Sequence, residues 1–132
     1  MHIEYQIENN LSVDEFIDCL IDSTLGDRRP VNNRECISKM VRNANLIVTA
    51  RHKELLVGVS RSLTDFSYCT YLSDLAVRKD FQKMGIGKEL IRKTKQASEP
   101  AKLILLAAPA AIDYYPKIGM TRHEAAFIFR PE

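Results

Sequence analysis

Glycines, lysines and a glutamine are gathered in one short run, Gln82-Lys83-Met84-Gly85-Ile86-Gly87-Lys88. An apolar stretch, Leu75-Ala76-Val77, leads into it, and a helical pattern leaves it. Two glycines two positions apart let the backbone turn tightly and aim several N–H groups at one point. The first N–H groups of a helix have no partner within it, and the helix dipole adds partial positive charge there. A strand, a glycine turn and a helix start together form a cradle for a phosphate group. Lys83 and Lys88 add full positive charge on either side, and Met84 is read as a packing residue over whatever binds.

Three patterns compete for this run. A P-loop needs Ser or Thr after Gly-Lys, and Glu89 follows Lys88 here. A dinucleotide fingerprint needs a third glycine, and Leu90 stands in its place. The third pattern fits: Gln82-x-x-Gly85-x-Gly87 resembles the Gln/Arg-x-x-Gly-x-Gly/Ala motif of the GCN5-related N-acetyltransferases, the GNAT superfamily. A second stretch, Tyr114-Tyr115-Pro116-Lys117-Ile118-Gly119-Met120, resembles that family's Phe-Tyr-x-Lys-x-Gly-Phe segment, with Tyr114 at the Phe position and Tyr115 at the Tyr position. Two motifs in the right order are far more specific than one.

The resemblance implies an acetyl-coenzyme A site and an amine acceptor. The run 82–88 would wrap the pyrophosphate, and Leu75, Ala76 and Val77 would form a central strand splayed from the stretch 103–107. The pantetheine arm would enter that gap and pair with freed backbone groups as an added strand does, and a strand N–H would hold the thioester oxygen. Tyr115 would give its proton to the departing sulfur. Asp74, beside the central strand, is the first candidate for general base and Asp65, in the preceding turn, the second. A buried carboxylate has a raised pKa, which suits a base. Strand alternation turns Asp74 away from Tyr71, and only a bulge would reverse that. Many family members carry an asparagine where Ala107-Ala108-Pro109 stands, so that contact to the cofactor arm is lost here or made by backbone.

The elements that must position these groups are legible in order. Alternation over 2–7 gives a strand. Ser12 and Glu15 make a capping box for a helix ending near Leu25-Gly26. The loop Asp27-Arg28-Arg29-Pro30 is either a solvated basic turn or an anion or substrate contact; the resemblance places it at the acceptor site, with Asp65 and Tyr68 as further lining candidates. Asn32 or Asn33 caps a second helix. Strands are predicted over 46–50, 55–63 and 68–77, with a possible bulge at Gly58, and a helix over 86–98. The run 103–107 lacks alternation and reads as a strand buried on both faces. A helix over 110–118 and two short strands over 120–123 and 126–130 complete the chain.

The bulk numbers bound the rest. At 132 residues the chain holds one domain, 1–132, and 45% apolar residues fill one core. A net charge of +2 gives no reason to expect nucleic acid as a partner. Three scattered cysteines and no ligand spacing among three histidines argue for a reducing cytoplasm and no metal. No apolar run is long enough to span a membrane, and none stands at the N-terminus as a signal would. The reading is therefore an α+β fold: one GNAT-like domain with a mixed, mostly antiparallel sheet, a splayed parallel strand pair and about four helices. Its expected activity is acetyl transfer from acetyl-CoA to a primary amine of a small molecule or protein, by direct attack in a ternary complex, as a monomer or homodimer. The alternatives are a non-catalytic acyl-CoA-binding or sensing module and a nucleotide-binding regulatory domain. The tyrosine segment argues against the last of these.

Overall fold

The computed structural model describes residues 1–131. Five strands form one sheet in the order β1-β2-β3-β4-β5: β1 Glu4–Ile7, β2 Leu46–His52, β3 Leu55–Thr64, β4 Cys69–Val77 and β5 Lys102–Ile104. The first four pair antiparallel and β5 joins β4 in parallel. Four helices flank the sheet: α1 Val13–Asp22, α2 Arg34–Asn43, α3 Ile86–Ser98 and the short α4 Tyr114–Lys117. The mixed, mostly antiparallel sheet with one parallel pair is as the sequence indicates.

The caps work as the side chains dictate. Ser12 Oγ accepts the Glu15 N–H at 3.3 Å, and Asn33 Oδ1 accepts that of Cys36 at 3.1 Å. Helices α1 and α2 bury Phe16, Leu20, Ile37 and Val41 against Ile47, Val59 and Ala76 on one sheet face. On the other face α3 lays Ile86 and Leu90 over Val48, Ala50 and Val57. Gly58 is needed there for closeness: a Cβ would come within 3.0 Å of Leu90 Cδ1 and 3.1 Å of Ile86 Cγ2. It pairs in register with Ala50, so the bulge expected at Gly58 lies one step earlier, where the register shifts between Ala50 and Arg51.

Three expectations need correcting. The predicted helix over 110–118 is a 3-10 turn, Pro109–Ala111, followed by α4. Pro116 explains the break: its ring clashes with the carbonyl four residues back, so a helix can hold it only in the first turn. The stretch 103–107 is not buried on both faces. It pairs with β4 only as far as Ile104, and Ile104 and Leu106 are half exposed. The strands expected over 120–123 and 126–130 are absent among the described residues: neither segment pairs with the sheet, whose last strand is β5. Among the described residues, no helix is long and apolar enough to cross a membrane.

Candidate active site

β4 carries the site, and a bulge shapes it. Arg61 stands opposite Asp74, yet Ser62 stands opposite Leu72, so Ser73 is an extra residue in β4. The shift decides which side chains share a face. Leu63 and Arg61 lie two apart in β3 and so point the same way, and their partners Tyr71 and Asp74 point with them. The bulge therefore turns Asp74 to the α1/α2 face with Tyr71, where unbroken alternation would have opposed them.

A bulge strands the polar groups of its extra residue, and two arginines collect them. Arg29, in the loop between α1 and α2, donates Nη2 to the Ser73 carbonyl at 2.8 Å. Arg61 donates Nη2 to Ser73 Oγ at 3.0 Å and Nη1 to the Met40 carbonyl at 3.2 Å. The Nε groups of Arg29 and Arg61 each bond one oxygen of Asp74, whose side chain is fully buried. The cluster ties the α1–α2 loop, α2, β3 and β4 into one unit.

That geometry corrects two expectations. Asp74 was the first candidate for general base, but both its oxygens are occupied by guanidinium groups and neither faces solvent. With both oxygens engaged and its side chain buried, Asp74 presents no free oxygen to an incoming amine. Asp74 is the hub that holds the bulge. Arg29 was a candidate acceptor contact, and it is turned inward on the same hub. Arg28 beside it stays exposed and offers its carbonyl to Arg29 Nη1 at 2.9 Å.

Asp65, the second candidate base, builds the β3–β4 turn. Its Oδ1 accepts the N–H groups of Ser67, Tyr68 and Cys69 at 2.7–3.1 Å, and these bonds hold the carboxyl below its ordinary pKa. A group so stabilised in its charged form is a poor base. Tyr68 is exposed, with the Lys102 ammonium 4.2 Å from its ring centre. Beside this turn lies a concavity of about 470 Å³ lined by residues including Asn43, Asn45, Leu63, Asp65, Cys69 and Tyr71. Of these, Asn43, Asn45, Leu63 and Tyr71 escaped sequence reasoning. Tyr71 joins them only through the bulge, and the asparagines only through tertiary packing.

At the other end of β4 the polar groups are left open. β4 and β5 pair only from Cys69↔Lys102 to Tyr71↔Ile104, and beyond that no ladder joins them. Leu75, Ala76 and Val77 thus border a gap on their β5 side. The chain then passes through a short 3-10 turn, Lys79–Phe81, into the glycine run. Gln82 Nε2 folds back onto the Val77 carbonyl at 2.8 Å and closes the strand end. Lys83 and Gly85 both take left-handed backbone, with φ of 64° and 82°. The N–H groups of residues 83–88 donate to no backbone carbonyl among the described residues. Open N–H groups at the start of α3, with Lys83 and Lys88 exposed beside them, form an anion cradle.

The tyrosines stand over this end. The Tyr114 hydroxyl, Leu75 Cδ2 and Val77 Cγ2 each lie 3.9 Å from the point a Cβ on Gly87 would occupy, so Gly87 lines the floor between strand and tyrosine. The Tyr115 ring packs edge-on to Tyr114, with centres 5.3 Å apart. Burial, with a lesser contribution from Tyr114, raises the Tyr115 pKa and keeps the phenol protonated.

Comparison with known proteins decides the family. The model of the acetyltransferase (GNAT) domain matches residues 28–130. The chain belongs to the GNAT acetyltransferase family. This GNAT domain is 28% identical over 111 residues to an uncharacterized N-acetyltransferase, ycf52, of Pyropia yezoensis, a match covering 78% of the chain and 62% of the relative. The counterpart of Gracilaria tenuistipitata var. liui is 29% identical over 104 residues, covering 76% and 57%. The chain thus spans about three fifths of the length of these curated relatives. Among solved structures, a probable acetyltransferase of Staphylococcus aureus superposes with a TM-score of 0.81 at 20% identity, covering 99% of this chain and 100% of the other. The aminoglycoside N-acetyltransferase AAC(6')-Iy, solved in complex with CoA, superposes with a TM-score of 0.75 at 12% identity, covering 98% and 95%. At these identities the superpositions show the GNAT fold.

Proposed function

We propose that the chain transfers an acetyl group from acetyl-CoA to a primary amine by direct attack in a ternary complex. One observation carries this reading: among the described residues the N–H groups of 83–88 have no backbone acceptor, and they lie at the start of α3, soon after the end of β4 that is unpaired on its β5 side. The residues present fit the group. The run 82–88 would take the pyrophosphate, with Lys83 and Lys88 neutralising its charge. Gly85 supplies the left-handed turn. The unladdered side of residues 75–77 would pair with the amide groups of the pantetheine arm. Acetyl-CoA supplies an activated acyl carbon in its thioester.

The chain's own groups then have distinct tasks. A β4 N–H among residues 75–77 would polarise the thioester oxygen. Tyr115 holds its proton and would deliver it to the sulfur as the thiolate departs. The acceptor would approach from the α1/α2 face, by way of the concavity at Tyr71 and Asn45, with Arg28 at its border. With Asp74 and Asp65 both committed elsewhere, the amine would lose its proton through water.

The same commitment of both carboxylates favours a second reading, an acyl-CoA-binding module without turnover. A panel of amines incubated with acetyl-CoA and scanned for free thiol separates the two. Thiol release with one acceptor class supports transfer. Saturable CoA binding without release from any amine supports the binding module.

A further inference from the structure

The concavity at the start of β4 holds one carboxylate with a spare oxygen. Asp65 is fixed by the turn it builds: Oδ1 takes three backbone N–H groups, while Oδ2 meets only the Cys69 thiol, at 4.0 Å. The turn bonds favour its charged form, and no cation contributes to that. Lys102, opposite Cys69 in the parallel pair, sits over the Tyr68 ring instead. The walls beside the carboxylate are apolar, with Leu63 44% and Tyr71 40% exposed. Tyr71 also closes the β4–β5 ladder, at Tyr71↔Ile104, so the concavity meets the mouth of the gap there. The far end of that path carries the opposite charge. The Arg29–Asp74–Arg61 hub sets two guanidinium groups on one carboxylate, a surplus of one positive charge. Like charge disfavours an ammonium and favours the neutral amine that attack requires. The separation follows from the register on β3, where Leu63 faces Tyr71 and Ser60 faces Leu75. From Leu63 or Asp65 to the Leu75 rung is three to five residues, roughly 10–16 Å at about 3.3 Å each.

We propose that the acceptor is a long diamine: an apolar chain along Leu63 and Tyr71, one ammonium on Asp65 Oδ2, and the second amine, neutral, roughly 10–16 Å away at the thioester. The proposal rests on the acetyl-transfer reading above and names its substrate class. The neutral amine forms the C–N bond as the C–S bond breaks. Its surplus proton leaves through water, and the sulfur takes one from Tyr115. A zwitterionic acceptor would lie the wrong way round, its carboxylate drawn to the hub and its ammonium to Asp65. A monoamine of the same length would leave Oδ2 unused.

Decylamine, its terminal diamine and the matching ω-amino acid share one chain length and differ in the far group. Thiol release from acetyl-CoA should give the diamine a kcat/KM about three- to fivefold above decylamine, counted per amine, as one solvated ion pair allows. The amino acid should be the poorest of the three. Propanediamine, too short for the span, should show no such gain. Asp65→Asn keeps an oxygen for the turn N–H groups and removes the charge, so the diamine-to-decylamine ratio should fall to about one. If that variant fails to fold, added salt should shrink the same ratio in wild type. Equal use of diamine and monoamine, a preference for the amino acid or for propanediamine, or a ratio that neither Asp65→Asn nor salt moves would overturn the proposal and leave acetyl transfer standing. If no amine releases thiol, the same ranking read as equilibrium binding, from the Tyr68 and Cys69 amide signals, would keep the diamine site and sink the transfer reading. Absence of that ranking in binding would overturn the site as well.

Discussion

The two ends of β4 treat their polar groups in opposite ways. Around Ser73 and Asp74, the carbonyl, the hydroxyl and both carboxylate oxygens have partners, and the guanidinium groups that meet them come from elements far apart in the chain. Beyond Val77, the N–H groups of residues 83–88 have no backbone partner among the described residues. A satisfied buried network fixes geometry, because every alternative arrangement leaves a charge or dipole unpaired. A run of unsatisfied donors at the surface is held by water alone and is free to meet an anion. The contrast separates the charged residues: those of the cluster are spent on holding the bulge, and Lys83 and Lys88 of the loop stay exposed beside open N–H groups.

The largest effect should come from breaking the satisfied end. Asp74→Ala leaves Arg29 and Arg61 facing each other without their shared carboxylate. Removal of one partner from a buried ion pair costs about 3–5 kcal/mol, so chemical denaturation should show a loss of that order. If Asp74→Ala unfolded like wild type and lost only turnover, Asp74 would return as a catalytic group.

Tyr115→Phe comes next. The ring and its packing stay, and only the proton goes. General-acid assistance is worth about 10²–10⁴-fold, and a coenzyme A thiol leaves fairly well unaided, so a fall in kcat of about 10²-fold or less is expected, with CoA binding nearly unchanged. Tyr114→Phe, matching the phenylalanine of the family motif, should cost less. Because the Tyr114 hydroxyl is the one that stands near Gly87, a reversed order in the two variants would move the proton donor one residue back.

A third effect belongs to a satisfied network away from the site. Arg51, through its hydrogen bonds, lowers the Glu8 pKa to about 2, outweighing the effect of burial. A carboxylate with a depressed pKa contributes stability that is complete above its ordinary value near 4.5 and is lost as pH falls through about 2. Part of the pair is solvated, so a loss on the order of 1–2 kcal/mol is expected. Acid titration of the melting temperature should show it in wild type, and Glu8→Gln should flatten the curve between those two pH values.

Arg28→Ala should do least. Exposed charges contribute about 0.2–1 kcal/mol to a contact. The acceptor KM should therefore rise by at most a few fold, with CoA affinity and stability unmoved. A variant that weakened CoA binding instead would move the basic loop to the other end of β4.

What the sequence disclosed follows the same division. The glycine run, the caps of α1 and α2 and the bounds of α3 rest on neighbours within a few residues, and each could be read from local spacing. The Arg29–Asp74–Arg61 hub joins residues 45 and 13 positions apart, and nothing local marks it. The Ser73 extra residue is equally silent in sequence, yet it decides which face Asp74 and Tyr71 share. Pro116 did carry a legible signal, since a proline at the seventh position of a nine-residue helix clashes with the preceding turn. The segment 126–130 reads as a strand because its residues favour one, but pairing depends on an edge being within reach.

If residues 82–88 are an open anion cradle, titration calorimetry of CoA into wild type and Gly85→Val will show it. Gly85 sits at φ 82° with open space around it, so a side chain there meets no neighbour and the fold should survive. The left-handed turn itself would be strained by about 1–2 kcal/mol for an L residue. Wild type should bind CoA saturably, and Gly85→Val should bind at least about tenfold more weakly, with a melting transition that stays cooperative and falls only by the few degrees that strain costs. Equal affinity in a folded Gly85→Val would mean that the open N–H groups of this loop are not where coenzyme A is held.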